Sequence, residues 1–156
     1  QLSTLNFTGN CLRDAGVSLL ADALSKLKSP VPVLELGHNQ IGDSGAAELA
    51  KLIKANPNIT TIHLAGNNIG DEGAIQIAEA AHAQPNIQTI DLSGNNIGPA
   101  GARALRQMLA DNRDIRSLDL SANPKLIGSK DLDGFLQIDG YALSSLVFSR
   151  HEDVAA

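Results

Sequence analysis

Cysteine, aromatic residues and long apolar runs are scarce in this sequence of 156 residues. The single cysteine, Cys11, cannot form an internal disulfide, which argues against a small secreted domain held together by disulfides. Tryptophan is absent and aromatic residues make up only 3%, so the core has to be built from Leu, Ile and Ala. No apolar run approaches the roughly 20 residues that a helix needs to cross a bilayer.

Basic charge is also scarce. Lys and Arg number 12 against 17 Asp and Glu, which gives a formal net charge of -5. Proteins that bind nucleic acids usually carry the opposite sign, because Lys and Arg neutralise the phosphates. We therefore expect no nucleic-acid partner. Because no long apolar run is present, we also expect no insertion into a membrane.

The sequence does contain a regular series of asparagines. The first two are 29 residues apart and the later ones 28, and the series is Asn10, Asn39, Asn67, Asn95 and Asn123. The frame L-x-x-L-x-L-x-x-N-x-L recurs around each of them. The fifth copy has two more residues after its asparagine than the frame allows. We assign Ile127 to the last apolar position of the frame in this copy. Self-similarity at this period indicates a repeat architecture of about five units.

The second half of each repeat predicts a helix. Ala46, Leu49, Ala50 and Ile53 follow the spacing i, i+3, i+4, i+7, which places them on one helical face. An aspartate precedes this stripe in three repeats, where its side chain can cap the start of the helix. These aspartates are Asp14, Asp43 and Asp71.

Together these motifs resemble leucine-rich repeats of the ribonuclease-inhibitor-like subfamily. The resemblance implies an α/β solenoid, or horseshoe, with a concave parallel β-sheet and convex α-helices. We expect the repeats to occupy residues 1–128 and a capping segment to occupy residues 129–156. At the other end we expect Leu2, Leu5 and Phe7 to expose an open sheet edge, which further residues or another surface would cover.

The five asparagines have a structural role in this interpretation. An amide that is buried at the corner after each strand can bond backbone groups of its own loop and of the neighbouring loop. We therefore assign Asn10, Asn39, Asn67, Asn95 and Asn123 to structure rather than to binding.

Candidate binding residues lie on the predicted concave face. One residue of each strand should form a column with rungs about 4.8 Å apart. This concave column consists of Asn6, Glu35, His63, Asp91 and Asp119. Its three carboxylates should repel one another, which favours a partner with basic or hydrogen-bonding groups. The predicted partner-binding residues are Glu35, His38, His63, Asp91, Ser93, Asp119 and Ser121.

Two enzymatic interpretations are weaker. His63 between Glu35 and Asp91 could suggest a catalytic or metal site, but no nucleophile accompanies it. The glycines do not match the spacing of a phosphate-binding loop. We therefore predict no catalytic residue, no metal and no cofactor.

The resemblance also implies the function. Repeats of this subfamily typically bind or inhibit proteins through the concave sheet and adjacent loops, which predicts a non-enzymatic interaction module. The short chain favours an inhibitor or effector. We expect a location in the cytoplasm, or in the host cytosol if the protein is a secreted bacterial effector. The alternatives are a GTPase-activating leucine-rich repeat protein and a structural fragment of a larger receptor or effector.

Overall fold

Short strands and longer helices alternate along the chain in a computed structural model. It describes residues 3–27, 31–82, 84–127 and 130, and the backbone of 141–144 and 147–150. The strands are β1 Thr4–Asn6, β2 Val33–Glu35, β3 Thr61–His63, β4 Thr89–Asp91, β5 Ser117–Asp119, β6 Tyr141–Ser144 and β7 Val147–Arg150. The helices are α1 Arg13–Ser25, α2 Asp43–Ala55, α3 Asp71–His82 and α4 Pro99–Asp111.

The first five strands form a parallel sheet in sequence order, and each helix supplies the crossover that a parallel pair requires. Leu34 pairs with Ile62, and Ile62 pairs with Ile90. Strand β7 then pairs antiparallel with β5, and β6 lies at the outer edge. The architecture is therefore an α/β leucine-rich repeat solenoid, as the sequence predicts.

The core lies between the sheet and the helices. The central residue of each of strands β2 to β5 is buried, and the residues on both sides of it are partly exposed. The helices bury the predicted stripe, as Ala46, Leu49, Ala50 and Ile53 show in α2. Because the middle side chain of a three-residue strand points to one face and its neighbours to the other, the outer pair faces away from the helices. We call this surface the concave face.

The fifth repeat departs from the others after its asparagine. A 3-10 turn, Pro124–Leu126, follows Asn123. Leu126 is fully buried, whereas Ile127 is 76% exposed. The sequence assignment of Ile127 to the last apolar position is therefore wrong, because the turn brings Leu126 into the core one residue earlier.

Three aspartates cap helices, but not the helices in which they lie. Asp14 Oδ1 accepts the N–H groups of Gly42 (2.7 Å) and Gly45 (3.0 Å) at the start of α2. Asp43 and Asp71 do the same at the starts of α3 and α4. The expectation that each aspartate caps its own helix is corrected, because stacking brings its carboxylate over the helix of the next repeat.

The contact with Asp14 requires a glycine at position 45. A β-carbon at Gly45 would lie 2.6 Å from Asp14 Oδ1, which is closer than real β-carbons approach. Glycine at this position therefore lets the carboxylate reach the first turn of the next helix. Gly73 has the same relation to Asp43, at 2.7 Å.

The predicted capping segment 129–156 is described only as the backbone of β6 and β7, with Lys130; the rest lies outside the described residues. At the other end, β1 is an edge strand and Leu5, Phe7, Leu12 and Leu20 are only partly buried. Leu2 lies outside the described residues. Within the described part of the chain, no helix has the length and apolarity needed to span a membrane.

Candidate functional site

The concave column forms an in-register series of side chains. Asn6 pairs with Glu35, Glu35 with His63, His63 with Asp91, and Asp91 with Asp119. All five side chains are at least partly exposed. The parallel register therefore presents three carboxylates and one imidazole on consecutive rungs of a single surface.

Two carboxylates of the column are held in place by serines. Asp91 Oδ1 accepts the backbone N–H of Ser93 at 2.9 Å and its hydroxyl at 2.7 Å. Asp119 Oδ1 accepts the same two groups of Ser121, at 2.9 and 2.6 Å. These bonds stabilise the charged carboxylates locally, which the expectation of simple repulsion overlooked. The spacing Asp-x-Ser in both repeats is the sequence signal for this arrangement.

His63 lies between two carboxylate rungs. Its Nδ1 is 3.8 Å from Asp91 Oδ2, and its side chain is 37% exposed against 24% for Asp91. One oxygen of Asp91 is thus occupied by Ser93, and the other faces the imidazole. The middle of the column can therefore donate through the histidine and accept through the carboxylate.

His38 lies above the column at the rim of the concave face. It is exposed, and its φ of 56° is left-handed, a conformation that Gly9, Gly66 and Gly94 adopt at the equivalent position in other repeats. A β-carbon at Gly66 would collide with the His38 ring, so the ring lies directly over the next repeat. The predicted site residues therefore share one side of the molecule, with His38 at its edge.

The asparagines bond the backbone of adjacent repeats. Asn67 Nδ2 donates to the carbonyls of Leu36 (3.1 Å) and Leu64 (2.9 Å). Its Oδ1 accepts the N–H groups of Asn39 (2.9 Å) and Ile41 (3.0 Å). The side chains of Asn39, Asn95 and Asn123 also bond backbone groups both in their own repeat and in the preceding one.

Asn10 differs because no described repeat precedes it. Its Nδ2 donates only within its own repeat, to Phe7 and Thr8, and the side chain is exposed.

On the convex side, a side-chain contact joins helices α3 and α4. His82 Nε2 of α3 lies 2.8 Å from Asp111 Oδ2 at the end of α4, and Gln107 Nε2 donates to the same oxygen at 2.8 Å. The hydrogen bonds from Gln107 and from His82 lower the pKa of Asp111. Across the described residues, no three His, Cys, Asp or Glu side chains cluster as metal ligands would.

A family model described as "Leucine Rich repeat" matches the chain at residues 2–21, 32–50, 55–78 and 83–105. These segments cover more than half of the sequence, and the chain belongs to the leucine-rich repeat family.

Two solved structures are similar to this fold. Actin-binding site 2 of leiomodin-1 aligns with a TM-score of 0.70 at 20% identity, over 86% of this chain and 80% of that one. The C-terminal domain of tropomodulin from Caenorhabditis elegans aligns with a TM-score of 0.70 at 15% identity, over 88% and 86%. Identities this low support the fold alone. No curated protein sequence matches this chain.

Proposed function

We propose that the protein is a non-enzymatic module that binds, and thereby inhibits, a protein partner through its concave face. Its family membership supports an interaction module in general. The observation that carries the specific proposal is the concave column, whose carboxylates at Asp91 and Asp119 are pre-oriented by Ser93 and Ser121. Side chains that are already ordered lose little entropy on binding, so they contribute more to affinity.

The spacing of the column favours a basic helix as the contacting element of the partner. From Glu35 to Asp119 the rungs extend about 14 Å. Three turns of an α-helix cover about 16 Å, so residues at i, i+4, i+7 and i+11 can meet one rung each, with Arg or Lys opposite the three carboxylates. In an extended strand, side chains on the same face are about 6.6 Å apart, whereas the rungs of the column are about 4.8 Å apart. A strand therefore falls out of register with the column by a full rung over the same span.

Small side chains leave room for this helix. Gly37, Ala65, Ser93 and Ser121 flank the column on one side and Val33, Thr61, Thr89 and Ser117 on the other. The sheet alone is smaller than the roughly 800 Å² per partner of a standard interface. We therefore place His38 and the neighbouring loops at the rim of the same contact.

The test removes the charges of the two serine-bound carboxylates but keeps the hydrogen bonds that orient these side chains. Asp91→Asn with Asp119→Asn retains Oδ1 as an acceptor for the serines, so the melting temperature should change little. Once a partner has been identified by affinity capture with the wild-type chain, its binding to this double variant should weaken by about 1–4 kcal/mol. Isothermal titration at low and high salt measures the effect, which should shrink as salt screens the charges.

Glu72→Gln with Glu79→Gln is the matched control, since it removes two exposed charges from the convex helix α3. This control should leave affinity unchanged. Equal affinities for the wild type and the concave double variant at both salt concentrations would show that the partner binds outside the column.

Actin is the first defined ligand to titrate, because the similar leiomodin-1 structure is described as an actin-binding site. We further propose membership of the ribonuclease-inhibitor-like subfamily and a cytoplasmic location. Repeats of 28 residues with a full helix support this subfamily. The single cysteine supports a cytoplasmic location, because disulfides are rare there.

A further inference from the structure

The middle of the concave column contains a side chain that can change its charge near neutral pH. Imidazole is the side chain that ordinarily titrates between about pH 5 and 8, whereas carboxylates stay ionised down to about pH 5 and arginine keeps its charge throughout. The histidine of the column is His63, and its neighbours in register are Glu35 and Asp91. The charge of this surface therefore depends on the protonation of His63.

The charged groups around His63 come from the strands on both sides of it. Strand β2 supplies Glu35 on one side, and β4 supplies Asp91 on the other, with Oδ2 at 3.8 Å from His63 Nδ1. Asp119 of β5 follows one rung further on, and His38 is the titratable group at the rim. In the described part of the chain, no charged residue is buried in the core beneath this face. Carboxylates therefore dominate the surroundings of His63.

Asp91 is already oriented toward this imidazole. Its Oδ1 accepts the N–H and the hydroxyl of Ser93 at 2.9 and 2.7 Å, which fixes the carboxylate on its rung. Its Oδ2 faces His63 Nδ1 at 3.8 Å, too far for a hydrogen bond but close enough for an ion pair with an imidazolium. A protonated His63 therefore pairs with the same oxygen that a cation of the partner would use.

The neutral and the protonated column differ in what they offer to a basic partner. With a neutral imidazole, the charges of the column are the three carboxylates of Glu35, Asp91 and Asp119. With an imidazolium, a positive charge lies between two of these carboxylates. An arginine opposite Asp91 then meets a like charge on the adjacent rung, about 4.8 Å away, and is repelled by it.

We propose that protonation of His63 weakens the binding of a basic partner to the concave column, so that the interface is strong at about pH 7.5 and weak at about pH 5.5. This inference rests on the proposed function, because it requires a basic partner at the column. The carboxylates attract the partner throughout this pH range, whereas His63 opposes it only in the protonated form.

A synthetic peptide serves as the probe. It is an alanine-based helix with arginines at i, i+7 and i+11, opposite Glu35, Asp91 and Asp119, and with glutamine at i+4, opposite His63. With blocked ends, this peptide has no group that titrates between about pH 5.5 and 7.5. Its affinity for the wild-type chain should fall at least about fivefold from the higher to the lower pH at constant ionic strength. Chemical-shift changes in NMR titrations measure both affinities.

His63→Gln tests whether this histidine causes the change, because glutamine forms hydrogen bonds but does not titrate. Its affinities at the two pH values should differ by less than about twofold. His82→Gln is the matched control, since His82 Nε2 also faces a carboxylate, 2.8 Å from Asp111 Oδ2, but lies on the convex side. His82→Gln and His38→Gln should both keep the pH dependence of the wild type.

Linkage provides a second measurement that needs no variant. If protonation of His63 weakens binding, the bound peptide must oppose that protonation to the same extent. The Hε1 signal of His63 should therefore titrate at lower pH with excess peptide than without it.

The outcomes separate this switch from the proposed function. A peptide that fails to bind at about pH 7.5, or that binds Asp91→Asn with Asp119→Asn as tightly as the wild type, contradicts both together. Binding that needs the two carboxylates but keeps its pH dependence in His63→Gln contradicts the switch alone. The switch is also wrong if His38→Gln removes the pH dependence, or if excess peptide leaves the Hε1 titration of His63 unchanged.

Discussion

At the scale of single residues, polar side chains in this molecule act mainly across repeats. Asn67 bonds three carbonyls and two N–H groups from two loops. Asp91 and Asp119 instead bond serines two residues further along the chain. The first kind of residue holds the solenoid together, and the second keeps a charged group ordered at an exposed surface.

Replacing Asn67 by Ala should destabilise the fold by about 1–3 kcal/mol, because Ile41 N–H and Leu36 O lose a partner where water enters poorly. Urea unfolding of both chains measures the difference. Asn10→Ala is the control and should cost less, since Asn10 is exposed and water can replace its bonds. Identical unfolding midpoints for wild type and Asn67→Ala would contradict the structural role.

At the scale of the elements, each of helices α2, α3 and α4 depends on the preceding repeat for its start. Gly42 and Gly98 precede α2 and α4, and neither helix has a capping side chain of its own. The carboxylate that bonds their first turn arrives from 27 to 31 residues earlier in the chain. Helix formation is thereby linked to the stacking of repeats.

Asp43→Ala should therefore destabilise the start of α3, at a cost of about 0.5–2 kcal/mol, which is typical of a lost N-terminal cap. Hydrogen exchange should accelerate at the amides of Gly70 and Gly73, which Asp43 Oδ1 accepts at 2.8 and 2.9 Å. Asp43→Asn keeps an acceptor oxygen and should lose less. Unchanged exchange at both glycines in the alanine variant would show that the cap contributes nothing.

At the scale of the whole molecule, the two ends of the solenoid differ. Strand β7 covers the edge of β5, so the sheet continues beyond the last repeat, whereas β1 stays at an edge. Repeat proteins depend on such terminal coverage, because each repeat contacts only its neighbours.

Deleting the residues after Gly128 should therefore expose β5 and the core beneath it. We expect aggregation or loss of cooperative unfolding, measured by light scattering and by circular dichroism during heating. A truncated chain that stays monodisperse and unfolds like its parent would show that residues 129–156 are not a cap and would make them a candidate docking segment.

The sequence alone predicted the period, the strand and helix positions of the repeats and the residues of the concave column. It could do so because each follows from spacing within one repeat, copied in register. Three features became visible only in the folded chain: the aspartate caps, the burial of Leu126 instead of Ile127, and the antiparallel pairing of β7 with β5. Each depends on how far one repeat is offset from the next or on how the chain turns after the last one, and no local pattern of residues encodes that offset.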